Sequence, residues 1–193
     1  MYRHKTTCSL AATALLVTVI AVMTYHGAGA RSFAPVKQAV TVDAPEKAYD
    51  VWRQKGVRGR TLVLFDRYPH MRGRFNYQGE PQLERSNLVE FSIFQNVIRK
   101  IYFVVPDAGW DDFLSEPTTK PIRTIPELAR GVSLYNLNGI PMIATTPSSL
   151  PHLSEQVLVY VNGDVFDPKQ AQELLAQKAI SSDITVNYQG NRE

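Results

Sequence analysis

Three short apolar runs set the pattern of this chain. Thr61-Leu-Val-Leu-Phe65, Ile101-Tyr-Phe-Val-Val105 and Val157-Leu-Val-Tyr-Val161 are almost unbroken in hydrophobicity. A strand with one wet face alternates apolar and polar residues, whereas a strand covered on both faces reads as a continuous apolar run. The three runs therefore predict central strands of a sheet covered on both sides. Between them the period becomes helical. Pro45 to Lys55 predicts a first helix, with Pro45 in its first turn, Ala48, Val51 and Trp52 on one face, and Gly56 as its C-terminal stop. Asn87 and Glu90 have the spacing of a capping box, and Leu88, Phe91, Phe94 and Val97 follow as a helical stripe. Asp167-Pro168 opens a helix that runs through Ala179, with Ala171, Leu174, Leu175 and Lys178 as its packing face, and Ile184 to Tyr188 is a last short strand. Val132 to Leu137 and Ile140 to Thr145 flank Asn138-Gly139, the residue pair of a tight hairpin turn. Residues 67–86 and 107–126 read as loops, with a short helix over 125–130. Strands that alternate with helices predict an α/β domain with a parallel or mixed sheet.

The N-terminus is of a different kind. Arg3 and Lys5 precede an apolar run from Ser9 to Met23, and Ala28-Gly29-Ala30 places small residues at the two positions a signal peptidase reads. The same stretch also fits an uncleaved anchor, because Thr6 to Ala30 contains no Asp, Glu, Lys or Arg. Under either reading the body lies outside the cytoplasm. The expected organisation is an export segment over 1–30, an extended lead-in over 31–44 and one α/β domain over 45–189. The sole cysteine, Cys8, lies in the export segment, so the body has no disulfide, no Cys metal ligand and no Cys nucleophile.

Composition narrows the partners. The formal charge is +3, but Arg3 and Lys5 belong to the export segment, which leaves 19 basic against 18 acidic residues, or +1. That balance gives no reason to expect nucleic acid as a partner. Arg53, Lys55, Arg58, Arg60, Arg67, Arg72 and Arg74 form a dense basic stretch, read either as an anion-attracting patch or as a solvated rim. Among the four histidines only His70 and His152 lie in the body, so a neutral general base is scarce. No Gly-x-Ser-x-Gly elbow, phosphate-binding loop or dinucleotide fingerprint is present. Candidate chemistry therefore sits where the apolar strands end. Asp66 closes the first, with Arg67-Tyr68-Pro69-His70 behind it, and Asn162-Gly163-Asp164 closes the third. Open α/β sheets build their sites at those ends. Tyr68, Phe75, Tyr77 and Trp110, with arginines nearby, would suit a sugar, nucleotide or carboxylate, and packing of a long loop onto the sheet accounts for them as well.

These motifs, in this order, resemble the arginase and deacetylase superfamily: a strand ending in Asp with Pro and His behind it, a helix, a strand Ile101-Tyr-Phe-Val-Val-Pro-Asp107 followed by Trp110, and a later apolar strand ending Asn-Gly-Asp-Val-Phe-Asp167. The resemblance spans about Ala48 to Tyr188 and implies a three-layer α/β/α fold with a mainly parallel sheet. It also implies a divalent metal, zinc or manganese, held by an Asp-x-His-x-Asp and a later Asp-x-Asp motif. Here Asp66 and Asp164 keep their places, Tyr68 stands where a His ligand belongs, and His70 and Asn162 each replace an Asp. The metal ligands the resemblance implies are thus Asp66, His70 and Asp164, with Arg67, Tyr68, Asn162 and Trp110 around the pocket. Two anionic ligands are lost, which weakens the hold on a divalent ion. The expectation is an exported domain of the cell envelope that binds a ligand or a protein partner, needs no cofactor, and carries an eroded metal site. Its membrane contact would run through the N-terminal segment if that is uncleaved. The alternative is a metal-dependent hydrolase of amide or guanidino C–N bonds.

Overall fold

The computed structural model describes residues 38–71, 82–115, 123–124, 132–137 and 140–190. The export segment, the aromatics Phe75 and Tyr77, the basic residues Arg72 and Arg74, the short helix over 125–130 and the turn Asn138-Gly139 lie outside the described residues. Among the described residues no helix is long and apolar enough to cross a membrane.

The elements in chain order are β1 (Ala39–Val42), α1 (Lys47–Gln54), β2 (Arg60–Phe65), a 3-10 turn (Arg85–Asn87) leading into α2 (Leu88–Phe94), β3 (Ile98–Val104), a second 3-10 turn (Asp107–Gly109) leading into α3 (Trp110–Ser115), β4 (Arg123–Thr124), β5 (Val132–Leu137), β6 (Ile140–Thr145), β7 (Val157–Asn162), α4 (Pro168–Gln177) and β8 (Ser182–Tyr188). They form an α/β domain around one sheet of order β1-β8-β7-β2-β3-β6-β5-β4. The six strands from β1 to β6 in that order are parallel, and β5 and β4 add antiparallel pairs at one edge. The hairpin expected around Asn138-Gly139 is the β5/β6 pair, in continuous register from Val132 against Thr145 to Leu137 against Ile140.

The unbroken apolar runs have the cause inferred for them. In β7 every residue is buried, and in β2 every residue but Arg60. Leu62, Leu64, Leu158 and Tyr160 point to a core closed by Ala48, Tyr49 and Trp52 of α1, Leu88 and Val89 of α2, and Phe113 of α3. Val63, Phe65, Val157, Val159 and Val161 point the other way, to a second core under Ala171 and Leu175 of α4 and under Leu150 and Leu153. Each such side chain stabilises the fold by about 1.5–3 kcal/mol relative to its exposed state.

Three local readings change. The extended lead-in contributes β1, which pairs in parallel with β8, Ala39 against Thr185 through Val42 against Tyr188. Asn87 does not cap α2. Its side-chain oxygen accepts from the Glu84 backbone N–H at 2.8 Å, so the capping box forms one turn earlier, between Glu84 and Asn87. The apolar stripe of α2 also stops short. Asn96, at φ 56, turns the chain toward β3, and this leaves Phe94 59% exposed at the helix end while Val97 is buried beyond it. The last helix follows its pattern, with Asp167 accepting from the Lys169 N–H at 2.8 Å as the N-cap.

Candidate functional site

The site is positioned by the order of the strands. From β2 the chain moves to one side, through β3 and out to the edge strand β4, comes back through β5 and β6, then crosses to the other side of β2 as β7 and continues outward to β8. The C-terminal ends of β2 and β7 therefore lie side by side where the winding reverses, and an open α/β sheet leaves a crevice there. A cleft of about 600 Å³ occupies it, lined by Asp66, Arg67, Tyr68, His70, Arg85, Pro106, Asn162, Asp164 and Val165. Such a volume suits a small molecule.

Asp66 is the centre of this cleft floor and is fully buried, 0% exposed. Its Oδ1 accepts from the backbone N–H groups of Arg67 at 2.6 Å and Tyr68 at 3.1 Å. Its Oδ2 meets Nε2 of His70 at 2.8 Å and accepts from Nδ2 of Asn162 at 3.0 Å. An ionised carboxylate offers about four lone-pair sites, and all four are filled. His70, only 8% exposed, is equally committed. Its Nδ1 lies 2.8 Å from the Arg85 carbonyl, which only accepts, so Nδ1 carries a proton and donates. One further proton must then lie between Nε2 and Oδ2. Whether it sits on the ring or on the carboxyl, the Asp66–His70 pair as a unit is neutral, which lowers the cost of placing a carboxylate at zero exposure.

Backbone strain is held at the same residue. His70 is at φ 50, in the left-handed region, a conformation that costs a non-glycine residue on the order of 1–3 kcal/mol. Both ring nitrogens and the bond from the Val89 N–H to the His70 carbonyl at 3.2 Å hold it there, tying the loop after β2 to the first turn of α2. On the β7 side, Oδ1 of Asn162 accepts from the Asp164 N–H at 3.0 Å, which folds the turn and leaves Asp164 exposed at the cleft. Gly163 must lack a side chain, since its N–H donates to the Tyr188 carbonyl at 2.7 Å and an added Cβ would stand 2.7 Å from that same oxygen.

Comparison with protein-family models, with curated proteins and with solved structures gives no match to this chain. The site must therefore be judged on its own geometry. Of the candidate site residues that fall among the described residues, Asp66, Arg67, Tyr68, His70, Asn162 and Asp164 line this cleft. Trp110 does not. Its ring lies 5.9 Å from that of Phe113, and it packs beside the core of the α1 to α3 face. The cause is α3, which begins at Trp110 where the sequence reads as loop. Tyr68, at the position of a His ligand in the resemblance, is 56% exposed.

Sequence reasoning missed Arg85 and two tyrosines. Arg85 sits in a stretch read only as polar loop, yet its carbonyl fixes His70 and its guanidinium lies over the Tyr188 ring, 5.3 Å from the centroid. Tyr160 in β7 meets the His70 ring edge-on at 6.1 Å, and its buried hydroxyl has no hydrogen-bond partner among the described residues. Burial first, and the nearby Asp66 carboxylate second, push the ionisation of that hydroxyl far above its usual 10.0.

The donor set does not fit a divalent metal as it stands. A metal would bind ligand atoms at about 2 Å, and here Oδ2 of Asp66 and Nε2 of His70, the atoms that would have to bind it, are bonded to each other. Only the carboxylate of Asp164 is left over. Among the described residues no group of three His, Cys, Asp or Glu side chains is arranged to hold an ion.

Proposed function

We propose that this chain is a non-catalytic ligand-binding domain of the cell envelope, exported by its N-terminal segment, with the layout of an arginase and deacetylase-like site whose metal has been replaced by hydrogen bonds. The observation that carries the reading is the closed network at Asp66. His70 and Asn162, which stand where the resemblance expects anionic ligands, hydrogen-bond to the Asp66 side chain that would otherwise ligate a metal. The centre is thereby converted from a reactive site into a rigid floor. Helices on both faces of a mainly parallel sheet agree with the three-layer α/β/α plan of that superfamily.

Above this floor the cleft is lined by Arg67, Arg85, Tyr68 and Asp164, with the Arg85 guanidinium over the Tyr188 ring. Two arginines around a cleft select a small molecule bearing a carboxylate or phosphate, since the guanidinium fork matches those groups with paired hydrogen bonds. Asp164 would then meet a donor elsewhere on the same ligand. The test is a thermal-shift survey of small carboxylates and phosphates on the full chain, repeated with Arg67→Ala and Arg85→Ala. A stabilising ligand whose effect both variants reduce is the expected result.

The rival reading, a metal-dependent hydrolase of C–N bonds, is favoured by one observation: Asp66, His70 and Asp164 do line the same cleft. It requires a stoichiometric metal. Elemental analysis of the purified chain, with melting curves before and after chelation, separates the two. One metal per chain whose removal lowers the melting temperature would overturn the binding-domain reading.

A further inference from the structure

The fold divides the basic stretch of the sequence between two ends of the sheet. Arg67 goes to the cleft, whereas Arg53, Lys55 and Arg58 go to the opposite end, where α1 finishes and β2 begins. The end of α2 lies at the same place, because the Gly59 N–H donates to the Asn96 carbonyl at 2.8 Å and the Arg60 N–H to the Val97 carbonyl at 2.9 Å. Phe94, one of two large hydrophobic side chains found exposed among the described residues, closes α2 and therefore lies at the same end of the sheet as these cations. Arg99 adjoins them, its Cδ 3.9 Å from where a Cβ on Gly59 would lie.

The charges there are unbalanced. Asp183 is engaged with Arg60 at 3.3 Å and Glu155 with Arg99 at 3.2 Å. Arg53, Lys55 and Arg58 are exposed and, among the described residues, make no ion pair. Three cations unpaired among the described residues, at the same end of the sheet as one exposed aromatic ring, have the make-up of a surface that rests on an anionic bilayer: the cations on headgroup phosphates, the ring at the boundary with the acyl chains. A single-strand nucleic-acid platform would stack successive bases on several aromatics, and here there is one.

We propose that this end of the sheet, Phe94 with Arg53, Lys55, Arg58 and Arg99, docks peripherally on anionic phospholipid. The cleft, at the far ends of the strands, then faces away from the bilayer. Each cation near an anionic surface is worth roughly fivefold in the docking equilibrium, so removing three costs about a hundredfold. The attraction also fades as salt is raised.

The test uses the full chain carrying Phe94→Trp, reconstituted into vesicles of phosphatidylcholine alone or with phosphatidylglycerol. Trp52 is fully buried, and the chain without the substitution supplies the background of both native tryptophans. The expected result is a blue-shifted emission, quenched by brominated acyl chains, in the anionic vesicles alone, and its loss when Arg53→Glu, Lys55→Glu and Arg58→Glu are added. Hydrogen exchange on the unsubstituted chain gives a second reading, with residues 53–59 and 94–99 protected by anionic vesicles only. Equal emission and exchange in both lipids, or quenching that survives the charge reversal, overturns the proposal. So does a response of the new tryptophan to a single-stranded oligonucleotide without lipid, which would assign the face to nucleic acid.

Discussion

Exchanging the carboxylate and amide between positions 66 and 162 tests the network at the cleft floor. In Asp66→Asn the new amide keeps an oxygen for the Arg67 and Tyr68 N–H groups, and its nitrogen can donate to Nε2 of a neutral His70, so only one contact fails. That nitrogen faces Nδ2 of Asn162, which sits 3.0 Å from the carboxylate oxygen it replaces, and two donors then oppose each other. An unsatisfied buried donor costs about 1–3 kcal/mol, and turning two charge-assisted backbone bonds into neutral ones costs about 1 kcal/mol more, so the loss is about 3 kcal/mol. For a domain of this size that corresponds to a fall of roughly 6–12 °C in melting temperature. Asn162→Asp alone places two carboxylates in contact, one of which must take up a proton. In the double variant the amide at position 66 donates to the carboxylate at position 162, which still accepts from the Asp164 N–H. Urea unfolding of the four chains, followed by circular dichroism, should show the double variant more stable than the sum of the single losses predicts, by about 2 kcal/mol. If the losses add within about 0.5 kcal/mol, the two side chains are not coupled and the floor is not the closed network described.

Tyr160→Phe removes a buried hydroxyl that has no partner among the described residues, so it should raise stability at neutral pH by about 1 kcal/mol. Because folding raises the ionisation of Tyr160 above its usual 10.0, the unfolded chain releases that proton first, and the native chain should lose stability as pH climbs past about 10, a slope that Tyr160→Phe would lessen in denaturation curves at pH 9 and 11. An unchanged slope would remove Tyr160 as its source. Replacing His70 by Ala or Gly deletes both ring bonds, but only Gly accepts φ 50 without strain, so His70→Gly should melt higher than His70→Ala by about 1 kcal/mol, and the reverse order would show the loop relaxes out of that conformation. Gly163→Ala drives a methyl group against the Tyr188 carbonyl, and a cost of about 1–3 kcal/mol is expected in thermal melts, with no loss showing that the turn after β7 moves freely.

The sequence by itself determined the α/β class and the central strands, because a strand buried on two faces must be apolar at every position and Leu62 to Phe65 and Val157 to Val161 admit no other period. It also put Asp66 and Asp164 at strand ends, since a polar residue after such a run marks where the core stops. Local patterning misled where tertiary contacts decide. The stripe through Phe94 has helical spacing, but the turn at Asn96 exposes that ring, and Asn87 satisfies the spacing of one capping box while bonding in another. Trp110 reads from sequence either as a pocket aromatic or as packing of a loop onto the sheet, and its contact with Phe113 is decided by the tertiary structure. Strand order was not legible, because apolar runs carry no record of their neighbours, and it is the return of β7 beside β2 that brings residues 96 positions apart, Asp66 and Asn162, into one hydrogen bond. The same order sends Arg67 to the cleft and Arg53, Lys55 and Arg58 to the opposite end. Side-chain chemistry could be listed from the sequence, but only the tertiary structure decided which groups share a floor, and hence that Asp66 has its oxygens filled by His70, Asn162 and backbone N–H groups.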